Sequence, residues 1–290
     1  MKMNDKPNRI DQIFADERLI GEALAAARAD AIDRHRRAGV PLVVVRDGRI
    51  EHIPAERLIP DVHALLKDAD FEAERPASEL IAWFEERRSA INNCLMAETP
   101  ALLHQGRFKK FYGELYPFAL WLGHLYAGRD DVTCSLNSSA NADSDYDGVV
   151  KDHATDPPTA TCVQLTTTTF DRGEARRMKY FLEHRWTPRS GQVNDAGEAE
   201  LGFLTQEERL DQAFAAIERV ARRKSRFSHG SNYVLVVCFD DFMWFGTEDD
   251  RAALAAFVTS RLASWRLSVA TLYIVGISGR TFLSFPTSAR

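Results

Sequence analysis

Cysteine is scarce in this sequence. The four cysteines, Cys94, Cys134, Cys162 and Cys238, stand far apart, without a Cys-x-x-Cys pair or a Cys/His cluster. This spacing argues against a zinc site. Three of the four lie in apolar runs, which predicts buried free thiols of the kind that persist in a reducing cytoplasm.

Long apolar runs are also absent. No run approaches the roughly 20 apolar residues that a bilayer-spanning helix needs. The first 15 residues are polar and charged and lack the apolar centre of a signal peptide. The sequence therefore predicts a cytoplasmic protein that does not interact with a membrane.

An excess of basic residues and several common catalytic signatures are missing as well. The formal net charge is −5, which argues against a uniformly basic nucleic-acid-binding surface but not against a local basic groove. There is no Gly-rich nucleotide loop, no Gly-x-Ser-x-Gly and no His-Glu-x-x-His, and the eight histidines include no pair at ligand spacing. Nucleotide-loop, serine-hydrolase and zinc-peptidase chemistry therefore find no support.

What is present is an ordinary globular composition. Hydrophobic residues make up 45% and charged residues 27% of the 290-residue chain, close to the averages for soluble proteins. This length is enough for one large domain or two modest ones. We predict a small module over residues 1–60, a proline-punctuated linker over 61–77 and an α/β domain over 78–290.

The N-terminal module is predicted to be a helix followed by a β-hairpin. A helix over residues 16–38 ends in the basic run 34–37 before Gly39, and two β-rich runs over 40–45 and 50–53 meet through Asp47-Gly48. Residues 26–58 resemble a short module found in small uncharacterised bacterial proteins, which implies no known chemistry. We interpret the module as an accessory element that offers a surface to a protein partner.

Beyond residue 77 the pattern alternates between helical and strand periods. Helices are predicted over 78–96, 108–126, 171–186, 206–224 and 249–265, and strands over 132–136, 146–151, 161–166, 233–239, 270–275 and 281–285. Pro117 should kink or break the second helix. An antiparallel meander followed by crossover connections predicts a mixed α/β sheet flanked by helices.

Acidic residues at the start of one strand suggest a metal site. Asp143, Asp145 and Asp147 lead into the second strand, and the third strand carries Gln164-Leu-Thr166. Neighbouring strands would bring these oxygen ligands together, and magnesium commonly uses one or two carboxylates and retains several waters. The alternative is that the aspartates are turn and strand-entry residues satisfied by backbone amides.

The element order and these residues resemble the PD-(D/E)XK nuclease superfamily over residues 108–285. The resemblance implies a restriction-endonuclease-like core and magnesium-dependent hydrolysis of phosphodiesters. It also implies that Asp147 and Gln164 bind the metal, that Glu114 on the preceding helix is a further ligand, and that Thr166 occupies the position of the catalytic lysine.

Two of these positions depart from the superfamily pattern. Thr166 cannot act as a cation, and Gln164 brings no charge to a metal. Lys151 or Lys179 is expected to supply the missing charge from a neighbouring element. The alternative is a catalytically inactive α/β interaction protein built on a nuclease-like scaffold.

Basic residues on two helices are candidates for nucleic-acid binding. Arg176 and Arg177 lie near the start of the helix after the third strand, where a solvated helix face is the alternative. The basic run 219–226 includes Arg222, Arg223 and Lys224; it is consistent with phosphate binding or with the dipole at a helix C-terminus. Similarly, the run 166–169 of four threonines is either a phosphate-binding hydroxyl cluster or simply a β-branched strand end.

Overall fold

The computed structural model describes the chain in segments. These are residues 27, 30–32, 34–46, 48–54, 65–92, 94, 101–137, 146–168, 172–184, 193–194, 196–199, 205–225, 231–241 and 247–287. The chain divides into two compact units: residues 1–65 with 90–98, and residues 66–89 with 99–290. Residues 16–26 of the helix predicted over 16–38, and the aspartates Asp143 and Asp145, lie outside the described residues.

The first unit contains the predicted hairpin. Strand β1 (Leu42–Arg46) pairs antiparallel with β2 (Arg49–Ile53), and Val45 stands opposite Ile50. Gly48 adopts a φ of +74° in the turn, a conformation that costs glycine little. Before the hairpin, residues 34–38 are helical and the Gly39 amide donates to the Arg36 carbonyl at 3.1 Å. The predicted hairpin and helix end are therefore confirmed.

The second unit is built on a seven-stranded mixed sheet. Its strands, in spatial order as well as chain order, are β3 (Arg75–Pro76), β4 (Val132–Leu136), β5 (Gly148–Asp152), β6 (Thr159–Thr167), β7 (Tyr233–Phe239), β8 (Thr271–Gly276) and β9 (Phe282–Pro286). The pairs β3–β4, β4–β5 and β5–β6 are antiparallel. The pairs β6–β7 and β7–β8 are parallel, and the edge strand β9 is antiparallel to β8. The predicted meander followed by crossovers is confirmed.

Helices flank this sheet. They are α1 (Asp68–Glu72), α2 (Ala77–Asn92), α3 (Arg107–Lys110), α4 (Tyr116–Tyr126), α5 (Arg172–His184), α6 (Gln206–Lys224) and α7 (Glu248–Trp265). Helix α6 begins with the predicted capping box, in which the Thr205 hydroxyl accepts from the Glu208 amide at 3.2 Å and Glu208 accepts from the Thr205 amide at 2.8 Å. Residues 68–76, which fall in the range predicted as a linker, form α1 and β3.

A π turn interrupts the aromatic helix before Pro117. Residues Phe111–Leu115 form this turn between α3 and α4, and the Tyr116 amide donates to the carbonyl of Phe111 five residues earlier. Proline has no amide hydrogen, and its ring clashes with the carbonyl four residues before it, here that of Gly113. The predicted break at Pro117 is therefore resolved as a local widening of the helix, and π turns of this kind are frequent at functional sites.

The sheet has a core on each face. On one face, α6 and α7 cover β7 and β8 in a cluster that includes Ile217, Leu254 and Leu235. On the other face, Trp121 of α4 packs edge-on against Tyr273 of β8, with the ring centroids 5.6 Å apart. All four cysteines are free thiols, and three of them are buried, as predicted. None of the described helices is both long and apolar enough to cross a membrane.

One half-buried histidine, His104, is expected to make stability depend on pH. Burial lowers the pKa of His104 from 6.5 to about 4. The unfolded chain therefore takes up a proton near pH 6.5 that the folded protein accepts only near pH 4. We expect the free energy of unfolding to be retained above about pH 7 and, because solvent screens this half-exposed ring, to fall by only about 1 kcal/mol between pH 7 and pH 5. Urea unfolding at these two pH values measures the change.

The variant His104→Asn isolates this contribution. Asparagine tolerates the φ of +49° that His104 adopts, and it does not titrate. The variant should show a clearly smaller loss between pH 7 and pH 5. An equal loss in both proteins would assign the pH dependence to other groups.

Candidate active site

A cavity of about 780 Å³ opens at the carboxyl end of β6. Its floor is the end of that strand, and its walls are the π turn with α3 on one side and α5 and α6 on the others. The described lining residues are Lys109, Gly113, Glu114, Asp147, Leu165, Thr166, Thr167, Thr168, Arg176, Arg219, Val220, Arg223 and Lys224. Six of the predicted site residues therefore meet here: Glu114, Asp147, Thr166, Arg176, Arg223 and Lys224.

Asp147 is held at the point where β5 begins. Its amide donates to the Val163 carbonyl at 2.9 Å, and its carbonyl accepts from the Asn137 amide at 2.8 Å. One side-chain oxygen, Oδ2, accepts from the Leu165 amide at 2.7 Å. Strand β6 continues past the start of β5, where no β5 residue pairs with it. The Asp147 carboxylate accepts the hydrogen bond of the Leu165 amide there. This geometry fixes the carboxylate at the cavity floor.

Glu114 faces the same cavity from the π turn. Burial raises the pKa of its carboxyl, and the negative charge of Asp147 raises it further. The positive charges of Lys110, Lys109 and Lys224 lower that pKa and oppose both effects. Two carboxylates therefore line the same partly buried space, where a cation stabilises their ionised forms.

Lys224, the last residue of α6, is the cation that interacts with both carboxylates. Burial lowers its pKa, while the charges of Asp147 and Glu114 raise it and that of Arg223 lowers it. The lysine is half-buried and lines the cavity. Its ammonium group is therefore a positive charge at the carboxylate pair that comes from a helix, not from β6.

Arg223 reaches the strand position that the superfamily fills with lysine. Its Nη2 lies 3.3 Å from the Thr166 hydroxyl oxygen, to which it donates. On α6, Arg219, Val220, Arg223 and Lys224 follow the spacing of one helix face, which explains why they line one wall together.

Other predicted site residues lie elsewhere. Lys151 forms an ion pair with Glu74 at 2.6 Å, and it is four residues from Asp147 along the chain, which is roughly 13 Å of strand. Gln164 is buried, with 6% of its surface exposed, and is not among the described lining residues. The structure therefore does not bring Lys151 to the cavity. It buries the Gln164 side chain, which is not among the described lining residues.

Three further candidates also lie outside the described lining. Lys179 is 73% exposed and lies 3.9 Å from Glu183 on the same helix. Arg222 pairs with Glu218 at 2.7 Å on the outer side of α6. Arg177 is half-buried on α5, next to Arg176, which does line the cavity. Of the two adjacent pairs of predicted arginines, one member each contributes to the cavity.

Sequence reasoning missed two basic lining residues. Lys109 precedes Gly113 by four residues and Glu114 by five, a helical spacing that would have signalled a shared face. Arg219 precedes Arg223 by four residues and belongs to the basic run, but it was not singled out as a site residue. Among the described lining residues, five are basic and two are carboxylates, so this described lining carries an excess of positive charge in a chain whose net charge is −5.

The carboxylate pair is compatible with magnesium, although the donor set is small. Within the described segments, no group of three or more His, Cys, Asp and Glu side chains is placed to hold a metal ion. Magnesium is nevertheless often bound by one or two carboxylates, with substrate phosphates and water completing its ligands. Asp147 and Glu114, which line the same cavity, meet that requirement.

No protein-family model, curated protein or solved structure matches this chain. The assignment of a function therefore depends on the cavity and on the order of the elements in this chain.

Proposed function

We propose that the protein is a divergent magnesium-dependent nuclease that cleaves phosphodiester bonds of nucleic acid in the cavity at the end of β6. The observation that carries the proposal is that Glu114 and Asp147 line one cavity together with five basic residues among its described lining. The two carboxylates suit a hard cation, and the basic residues suit a polyanionic substrate.

Asp147 and Glu114 would hold the magnesium ion. A bound ion of this kind supplies charge neutralisation at the phosphate and activation of water. Asp147 is suited to this role because its Oδ2 is already oriented by the Leu165 amide. The same hydrogen bond fixes the orientation of the other oxygen, Oδ1, so the carboxylate needs little reorganisation to bind a metal ion.

Lys224 and Arg223 would take over the function of the missing strand lysine. Lys224 interacts electrostatically with both carboxylates, and Arg223 donates to Thr166 at the position of that lysine. Their positive charges would orient the phosphate and stabilise the charge that develops in the transition state. This replaces the hypothesis that Lys151 or Lys179 supplies the charge.

The strand order supports the proposal. Strands β4, β5 and β6 form an antiparallel meander, helices follow, and β7 then joins parallel to β6. This is the arrangement that the resemblance to the PD-(D/E)XK superfamily implies. Asp147 lies at the start of the second of these strands, and Glu114 precedes the first, as the resemblance also implies.

A second candidate function is binding without cleavage. It is favoured by Thr166, which leaves the strand itself without a cationic group. In that case the protein would bind nucleic acid through the basic lining and would not hydrolyse it, with or without magnesium.

The first test is magnesium binding by the wild-type protein and by Glu114→Gln. We expect calorimetry to show one magnesium site in the wild type and at least about a tenfold weaker site in the variant, because the variant removes one of two charged ligands. The wild type should cleave single-stranded or duplex DNA or RNA with magnesium and should not cleave in EDTA.

Glu207→Gln is the matched control, because Glu207 is an exposed carboxylate in the first turn of α6. It should leave magnesium binding unchanged. Magnesium binding of equal strength in Glu114→Gln and the wild type would contradict the proposed ligand role. Magnesium binding without cleavage of any of these nucleic acids would favour the second candidate.

A further inference from the structure

The charges in the cavity fall into two groups. Glu114 and Asp147 line it from the π turn and from the start of β5, whereas Arg176, Arg219 and Arg223 line it from α5 and α6. The carboxylates and the arginines thus come from different elements, and we call these two parts of the described lining the carboxylate end and the arginine end. Arg223 is next to Lys224 on α6.

The arginine end is assembled from three elements. Arg176 comes from α5, and Arg219 and Arg223 come from one face of α6. The end of β6 contributes residues 166–168, and Thr166 anchors Arg223 by a hydrogen bond of 3.3 Å. At this position β6 lies between an antiparallel neighbour, β5, and a parallel one, β7.

Guanidinium groups and hydroxyls are suited to phosphate. A guanidinium presents a planar fork of donors that matches two phosphate oxygens, and it keeps its charge at any physiological pH. None of the described lining residues is aromatic, so this described part of the lining offers no platform on which a base would stack. The lining therefore fits the sugar–phosphate backbone better than it fits the bases.

The size of the cavity exceeds the needs of a single phosphate. Its volume of about 780 Å³ lies in the upper part of the range of about 300 to 1,000 Å³ that ligand pockets occupy. One phosphate at the carboxylate end would leave the arginine end open to a further anionic group.

We infer that Arg176, Arg219 and Arg223 form a second phosphate subsite, so that the cavity binds two phosphates of one strand at once. This inference rests on the proposed function, because it takes the carboxylate end as the site of the cleaved phosphodiester. The substrate is then a flexible single-stranded segment or strand end, whose neighbouring phosphate is held by the arginines.

The test compares dinucleotides that differ by one phosphate. Thymidylyl-thymidine, which has only its internal phosphodiester, is titrated against the same dinucleotide carrying an added 5′-phosphate or an added 3′-phosphate. Calcium replaces magnesium, and chromatography checks that the ligands stay intact. We expect one of the two phosphorylated forms to bind the wild type about tenfold more tightly than the unphosphorylated form.

The double variant Arg176→Gln/Arg219→Gln should lose this tenfold gain, which is measured within the variant as the ratio of its affinities for the phosphorylated and the unphosphorylated dinucleotide. Arg222→Gln is the matched control, because Arg222 is an arginine of the same helix that pairs with Glu218 outside the described lining. It should keep the gain.

The outcomes separate the two proposals. If the unphosphorylated dinucleotide binds but neither added phosphate tightens binding, or if the gain persists in the double variant, the second subsite is wrong and the proposed function stands. If the wild type binds none of the three dinucleotides, both proposals are overturned.

Discussion

Replacing Asp147 by asparagine should reduce magnesium-dependent cleavage roughly 1000-fold, because several kcal/mol of charge stabilisation at the reacting phosphate depend on a metal held at this position. The substitution removes the negative charge but keeps a side-chain oxygen that accepts the hydrogen bond of the Leu165 amide. In the wild type this amide nitrogen lies 2.7 Å from Oδ2. Steady-state cleavage of a labelled oligonucleotide in magnesium measures the effect. Calorimetry on the same variant should show that the magnesium site is lost.

Because the hydrogen bond is retained, folding should be unaffected in Asp147→Asn, and urea unfolding checks this. Asp152→Asn is the matched control: Asp152 ends the same strand and binds Arg129 at 2.7 Å, away from the cavity lining. It should cleave as the wild type does. Undiminished cleavage by Asp147→Asn would show that the carboxylate has only the structural role that was the alternative interpretation of the acidic stretch.

Elements with strong local signals were predicted to within a residue. Helix α6 and strand β7 have the predicted bounds, since the capping box at Thr205 marks the helix start and an uninterrupted β-rich run marks the strand. Strand β3 was missed because two residues carry no periodicity. Its pairing with β4, Arg75 opposite Cys134, is a tertiary contact that no local pattern encodes.

The strand that follows Asp147 begins two residues later than predicted. The pattern predicted a strand over 146–151, and the structure has β5 from Gly148 to Asp152. Asp147 lies just outside the strand because its side chain, and not its backbone, satisfies the Leu165 amide. The departure from the regular ladder is therefore the same feature that directs the carboxylate to the cavity.

The source of positive charge could not be found from the strand sequence. Lys151 has the right charge and lies on the right strand, but four residues of strand separate it from Asp147 and Glu74 binds it. Lys224 is 77 residues from Asp147 in sequence and reaches the carboxylates only because α6 packs its C-terminal end against the end of β6. That contact depends on helix packing, which residue spacing does not reveal.

Gly276→Ala should be the most destabilising single-methyl substitution among the described glycines of the sheet. A β-carbon at Gly276 would lie 1.9 Å from Oδ2 and 2.2 Å from the carboxyl carbon of Asp241. Asp241 is only 4% exposed, and its carboxylate accepts from the amide and the hydroxyl of Ser278, each at 2.7 Å. The carboxylate cannot move aside without losing both hydrogen bonds inside the protein.

We therefore expect Gly276→Ala to lower the free energy of unfolding by about 4 kcal/mol, the sum of overpacking and a disrupted buried charge. Urea unfolding measures it, with Gly113→Ala as the control: no heavy atom lies within 4 Å of a β-carbon there, so stability should hold or rise slightly. A loss below about 1 kcal/mol in Gly276→Ala would contradict the expected clash. Since Asp241 causes the clash, adding Gly276→Ala to an Asp241→Ala background should cost much less than adding it to the wild type.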